Sequence, residues 1–300
     1  MFTHVIFDLD GTLLNTLDDL ADAGNYICSL HGWVGHPVEA YKLMVGSGIP
    51  TLVRRFAPSN ASEDEIADAT EEFSAYYSEH KEDKTAPYEK IPQIIKLLRD
   101  TGINISVLTN KADSIAGAIV AHYFPDMFVT VLGALPEVPV KPDPTTLNLL
   151  MERVGAVPEN TLFVGDSNVD IATGKNGGLT TCGVLWGFRS REELEREGAD
   201  FLVSDPLELI ELITGTKLIE PDDYKEAAVL LSQGELVGVP TETVYGLASD
   251  ATREEAVQSN YEAKGRPETK PLNVLVDGMQ MVEQVCRDIP EPAYRLAEAF

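Results

Sequence analysis

The stretch Val5-Ile6-Phe7-Asp8-Leu9-Asp10-Gly11-Thr12-Leu13 decides how this 300-residue chain is read. Its short apolar run reads as a buried strand. The strand delivers Asp8 and Asp10, two residues apart, to one side of a sheet. Like charges that close repel, so a cation between them or acid/base chemistry explains the pair. Gly11 and Thr12 permit a sharp exit from the strand.

Outward from that strand, short apolar runs recur at 103–108, 130–133, 161–164, 181–185 and 201–203. Helical patterns lie between them at 91–101, 144–154, 171–177 and 190–197, and a closing helix is read at 207–213. Alternating strand and helix predicts an α/β fold, a doubly wound parallel sheet with helices on both faces. Residues 17–85 break the alternation. They read as an all-helical insertion, with Ser62-Glu63-Asp64-Glu65 opening one helix as a capping box. A second break falls near Thr214-Gly215-Thr216. The expected organisation is therefore a domain over 1–216, with its core at 1–16 and 86–216 and a helical cap at 17–85, followed by a segment over 217–300.

Composition narrows the function classes. Apolar residues make up 44% and charged residues 24%, values of a soluble globular protein. The formal net charge is -26, and after residue 216 there are 8 Lys+Arg against 16 Asp+Glu, so neither part is a basic module. Such a surface disfavours attraction to nucleic acid or anionic lipid, and no direct nucleic-acid partner is expected. Cys28, Cys182 and Cys286 form no metal spacing and read as reduced thiols. No secretory signal and no membrane span is expected, which points to a cytoplasmic location. The five histidines show no ligand spacing. Gly174-Lys175 fails as a phosphate-binding loop because Asn176 follows, and Gly46-Ser47-Gly48 fails as a dinucleotide fingerprint because Thr51 stands where Gly is needed.

Four polar clusters follow four expected strands: Asp8/Asp10; Thr109-Asn110-Lys111; Lys141-Pro142-Asp143, after a strand expected at 136–140; and Gly165-Asp166-Ser167-Asn168-Val169-Asp170. In this order the clusters resemble the haloacid dehalogenase-like superfamily of phosphohydrolases, over roughly residues 1–214. The resemblance implies Mg²⁺ chemistry on a small phosphorylated metabolite. Asp8 would be the nucleophile, forming an aspartyl-phosphate, and Asp10 the proton shuttle. Asp8, the Asp10 backbone carbonyl and Asp166 would hold the metal. Thr109, Asn110 and Lys141 would meet the phosphoryl group, and Asp170 would orient the metal shell or Lys141. A carboxylate at position 10 favours phosphate esters over halides. The cap loop Gly46-Ser47-Gly48, with Arg54 beside it as a candidate for a small carboxylate, looks most like phosphoglycolate phosphatases. Phosphomutase and pyrophosphatase relatives share the same core motifs.

The remainder carries Pro240-Thr241-Glu242-Thr243-Val244-Tyr245-Gly246-Leu247 and Ala263-Lys264-Gly265-Arg266-Pro267. It resembles the start of the YrdC/Sua5 family, the threonylcarbamoyl-AMP synthases. That resemblance implies ATP and threonine as ligands, with Thr241, Thr243, Lys264 and Arg266 as candidate site residues. Residues 217–300 span roughly half a domain of that family, so the segment is expected to lack synthase activity alone. The alternative reading is a synthase fusion in which the phosphatase domain is ancillary.

Overall fold

The computed structural model describes residues 2–220, 222–241, 244–267 and 269–299. The chain divides into two compact units, Met1–Leu218 and Ile219–Phe300.

In the first unit β1 (His4–Phe7) leads into a short β2 (Leu14–Asn15), and four helices follow: α1 (Leu17–Leu30), α2 (Val38–Met44), α3 (Ile49–Phe56) and α4 (Glu63–His80). The chain returns through β3 (Ala86–Pro87), antiparallel to β2, and α5 (Ile91–Asp100). Alternation then resumes: β4 (Asn104–Ala112), α6 (Asp113–Tyr123), β5 (Thr130–Ala134), α7 (Thr145–Val154), β6 (Thr161–Gly165) and α8 (Asn168–Asn176). It ends with β7 (Thr180–Val184), α9 (Arg191–Glu197), β8 (Phe201–Val203) and α10 (Pro206–Thr214). Six strands form one parallel sheet in the order β5-β4-β1-β6-β7-β8.

That order puts the first strand in the middle, with later strands added outward on both sides. The crevice beside β1 is thus a topological switch point, where sheets of this kind bind ligands. The period of two along the strands divides the core. Val5, Phe7, Ile105, Val107, Leu162 and Val164 join one apolar cluster with Ile94, Leu98, Leu209 and Ile213. Ile6, Leu108 and Phe163 join another with Leu147, Leu150 and Met151 of α7. Each such side chain contributes about 1.5–3 kcal/mol on burial. The strand expected at 136–140 is instead a loop. Pro136 and Pro139 lack ladder donors and Glu137 sits at φ 62, so no strand can form there.

The four helices of the insertion make a small core of their own around Ile27, Tyr41, Val53, Phe56, Phe73 and Tyr77, against which Phe188 also packs. The Ser62–Glu65 capping box is formed at the start of α4.

The second unit holds α11 (Tyr224–Gln233), β9 (Val237–Pro240), β10 (Tyr245–Ala248), α12 (Glu254–Ala263), α13 (Met279–Val285) and α14 (Glu291–Ala299). β9 and β10 pair antiparallel as a two-stranded sheet. Among the described residues no helix is long and apolar enough to cross a membrane.

Candidate active site

Asp8 directly follows β1, Thr109–Lys111 lie near the end of β4, Asp166 follows β6, and Lys141 lies in the loop after β5. The adjacency of β4, β1 and β6 brings these carboxyl ends together. The Asp8 backbone N–H donates to the Val164 carbonyl (2.8 Å), which fixes the strand end against β6. The centre is the Lys141 ammonium. It donates to Asp8 Oδ1 (2.7 Å), Asp170 Oδ1 (2.6 Å) and the Leu108 carbonyl (3.0 Å). Those three bonds use all its donors. Asn110 clamps the Lys141 backbone, accepting from its N–H (2.8 Å) and donating to its carbonyl (3.0 Å). The Lys141–Pro142 peptide is cis.

Asp170 has two tasks. Its Oδ2 accepts from Ser167 N (3.0 Å) and Oγ (2.6 Å), closing the capping box that starts α8, while Oδ1 faces Lys141. Asp166 accepts from Phe188 N–H (2.7 Å) at Oδ2 and from the Thr12 hydroxyl (3.4 Å) at Oδ1. Gly11 turns the chain at φ 88 directly over this carboxylate; a Cβ there would lie 2.3 Å from Asp166 Oδ2. The Gly11 turn thus needs both the left-handed conformation and the missing side chain.

Asp8, Asp166 and Asp170 are buried, and each offers an oxygen within 4.8 Å of the others. Burial, then Asp170, pushes the Asp8 carboxyl up to about 7, with Lys141 opposing the rise. Burial, then Asp170 and Asp8, holds Asp166 well above the usual carboxylate range. Burial alone would lower Lys141, but Asp170 and Asp8 outweigh it and hold the ammonium above its ordinary value. Three buried carboxylates thus face one ammonium. A divalent cation with hard oxygen ligands, such as Mg²⁺, fits both the donor type and the missing positive charge.

The cap covers this centre. The cavity is lined on the core side by Asp8, Asp10, Thr109 and Lys111, and on the cap side by Val45, Gly46, Gly48, Leu52 and Tyr77. Asn110 Nδ2 also donates to the Gly46 carbonyl (3.0 Å), tying β4 to the cap loop. Ser47 Oγ accepts from Arg55 (3.3 Å) rather than facing the centre. Arg54 does not reach the cavity. Its guanidinium makes a two-pronged pair with Glu63 (2.7 and 2.6 Å) on the exposed face. An arginine beside a loop does not reveal from sequence which way it points, and here Glu63 captures it.

Four further residues belong to this cavity. Lys111 is buried, paired with Asp10 Oδ1 (3.1 Å), and donates to the Tyr77 hydroxyl (2.8 Å). Burial pushes the Tyr77 phenol up to about 12, with Lys111 opposing the rise. Phe188 and Arg189 come from the loop after β7, and Arg189 donates to the Lys42 and Val45 (2.9 Å) carbonyls. Lys111 stands in the quoted Thr109-Asn110-Lys111 string; Tyr77 carries no sequence signal beyond helical core spacing.

In the second unit Thr241 Oγ1 bonds the Val244 carbonyl, and Arg266 donates to the Lys270 (3.1 Å) and Pro271 (2.9 Å) carbonyls. Lys264 follows α12 and is exposed. Thr243 lies outside the described residues.

Comparison with known proteins extends the geometry. A family model described as haloacid dehalogenase-like hydrolase matches residues 5–184, and the Sua5/YciO/YrdC model, described as telomere recombination, matches residues 229–300. The chain is 32% identical to the phosphoglycolate phosphatase of Vibrio parahaemolyticus over 70% of this chain and 95% of that protein. It is 29% identical to that of Haemophilus influenzae over 71% and 98%. Among solved structures, a putative phosphoglycolate phosphatase from Lactobacillus delbrueckii subsp. bulgaricus matches with a TM-score of 0.69 and 30% identity, over 72% of this chain and 99% of that one. The carboxy-terminal segment is accordingly YrdC-like. The chain belongs to the haloacid dehalogenase-like hydrolase family, and its first unit is a phosphatase of that family.

Proposed function

We propose that the first unit hydrolyses 2-phosphoglycolate, with Mg²⁺ and an aspartyl-phosphate intermediate. The observation that carries this reading is the buried Asp8–Lys141–Asp170 cluster with Asp166 beside it at the strand ends. The Asp8 carboxylate, the Asp10 backbone carbonyl and Asp166 would hold the metal. When bound, Mg²⁺ supplies the positive charge that lets an anionic ester approach an anionic nucleophile. Both Asp170 oxygens are already engaged by Ser167 and Lys141, so its part is to hold Lys141 in place.

Asp8 attacks phosphorus, and the ester oxygen leaves with the proton of Asp10. Water then attacks the acyl phosphate while Asp10 takes its proton, releasing phosphate and restoring Asp8. Lys141, its donors engaged by Asp8, Asp170 and Leu108, contributes its positive charge behind the nucleophile, and the Thr109 hydroxyl donates to a phosphoryl oxygen. Lys141 also favours the ionised nucleophile against the burial that raises it.

The test is phosphate release with Mg²⁺ from phosphoglycolate, β-glucose 1-phosphate and pyrophosphate. Phosphoglycolate should give the highest kcat/KM, and a preference for either rival would overturn the substrate assignment. Asp8→Asn should abolish release, a loss of at least about 10³-fold, with the circular dichroism spectrum unchanged. Turnover surviving in that variant would refute the nucleophile assignment.

For the second unit the family match supports binding of ATP and threonine, with Thr241, Thr243, Lys264 and Arg266 as the candidate contacts. Calorimetric titration of the full chain with each ligand tests this, and no heat from either would overturn it.

A further inference from the structure

The phosphoglycolate reading leaves a requirement that the catalytic set does not meet. The substrate carries a second anion, a carboxylate two bonds beyond the ester oxygen. A mostly apolar cavity wall must pair or hydrogen-bond that charge or it will not bind there. A cation in the cavity wall would meet that need most strongly.

Arg54 is held by Glu63 on the exposed face. Arg55 is held by the Met44 carbonyl and Ser47. Lys141 has its three donors on Asp8, Asp170 and Leu108. The described cations lining the cavity are Lys111 and Arg189. Arg189 is turned to the Lys42 and Val45 carbonyls and to Glu193 (3.3 Å). Lys111 has three N–H donors; among the described residues one is donated to Tyr77, and the ammonium is ion-paired with Asp10 Oδ1.

Its position suits the task. Asp10 is the residue that meets the ester oxygen, and Lys111 Nζ lies 3.1 Å from its carboxylate. A group two bonds from the ester oxygen thus comes within reach of the same ammonium. Tyr77 fixes the lysine from the cap: its hydroxyl accepts at 2.8 Å and its ring centroid lies 4.6 Å from Nζ. The lysine is nearly inaccessible to solvent, so its charge is poorly screened and its interaction with a substrate anion strong.

We infer that Lys111, held by Tyr77 of the cap helix α4, is the specificity residue that receives the carboxylate of the substrate. This inference rests on the phosphoglycolate reading and adds a residue to it.

The experiment compares phosphoglycolate with ethyl phosphate, which presents the same reacting group without the carboxylate. The quantity read is the ratio of the two kcat/KM values in the full chain. In the wild type the ratio should favour phosphoglycolate strongly. In Lys111→Met it should fall by about tenfold to a hundredfold, the range for a lost hydrogen bond between charged groups. Lys111→Arg should recover part of the ratio. If Lys111 acts solely through Asp10, both substrates slow by the same factor, the ratio stays fixed, and the inference is overturned. Tyr77→Phe removes just the hydroxyl and covers the case in which Lys111→Met does not fold: a lowered ratio supports the inference and an unchanged one overturns it. A wild-type ratio near one would overturn the phosphoglycolate reading itself, a result separable from a wild-type preference that survives in the variants.

Discussion

Lys141 has no donor to spare, and its neighbours show why. Without it, Asp8 and Asp170 would be two buried carboxylates with no cation between them. Even with it, burial and Asp170 push Asp8 from 3.8 up to about 7. The consequence for stability has a definite sign. The folded, metal-free protein holds the Asp8 proton more tightly than the unfolded chain does. The contribution of Asp8 to stability therefore falls as pH rises from about 4 towards 7 and is level above that. Mg²⁺ needs the ionised carboxylate, so protons compete with it below about pH 7. The expected result is a larger rise in Tm on adding Mg²⁺ at pH 8 than at pH 6, read by differential scanning fluorimetry; equal shifts at the two pH values would contradict it. Much of this centre is legible in the sequence, because Asp8, Thr109, Asn110, Lys141, Asp166 and Asp170 all stand in the four polar clusters of the sequence. The Lys111–Tyr77 pair is not. It joins a strand end to a cap helix 34 residues earlier in the chain, and no local pattern encodes that contact.

Elements place these residues, and small side chains at the strand ends make the placement possible. Gly165 ends β6, and a Cβ there would lie 2.2 Å from the Asp170 Cβ. Gly117, inside α6, has nothing within 4 Å of the same added atom. The same substitution should thus have opposite signs at the two sites. Gly165→Ala should cost about 1–3 kcal/mol by overpacking and slow turnover, because Asp170 must move and Lys141 follows it. Gly117→Ala should add about 0.5–1 kcal/mol from helix propensity with turnover unchanged. Urea denaturation with phosphate-release kinetics reads both, and a fully active, fully stable Gly165→Ala would contradict the packing argument. At this scale the sequence reading reaches the six strands of the main sheet, since each is a short apolar run between turn residues. It fails at 136–140, where Pro136 and Pro139 remove two ladder donors and Glu137 turns to φ 62.

The two units differ sharply in how much they bury. Met1–Leu218 has three apolar clusters and corresponds to nearly the full length of its phosphoglycolate phosphatase relatives. In Ile219–Phe300 the buried residues among those described are Val237, Ala256 and Asn260, while Tyr245, Val274, Leu275 and Leu296 are exposed. A two-stranded sheet with so little apolar burial is marginal in water. Local opening should therefore be frequent in the second unit and rare in the first. Limited proteolysis with a nonspecific protease should cut first within 219–300 and leave a resistant fragment ending near residue 218. That fragment should keep kcat/KM within about twofold of the full chain, because every described residue lining the cavity comes from the first unit. Intact mass spectrometry locates the cuts. Early cleavage inside the first unit, or loss of activity in step with removal of the second, would mean that the phosphatase depends on the segment that follows it.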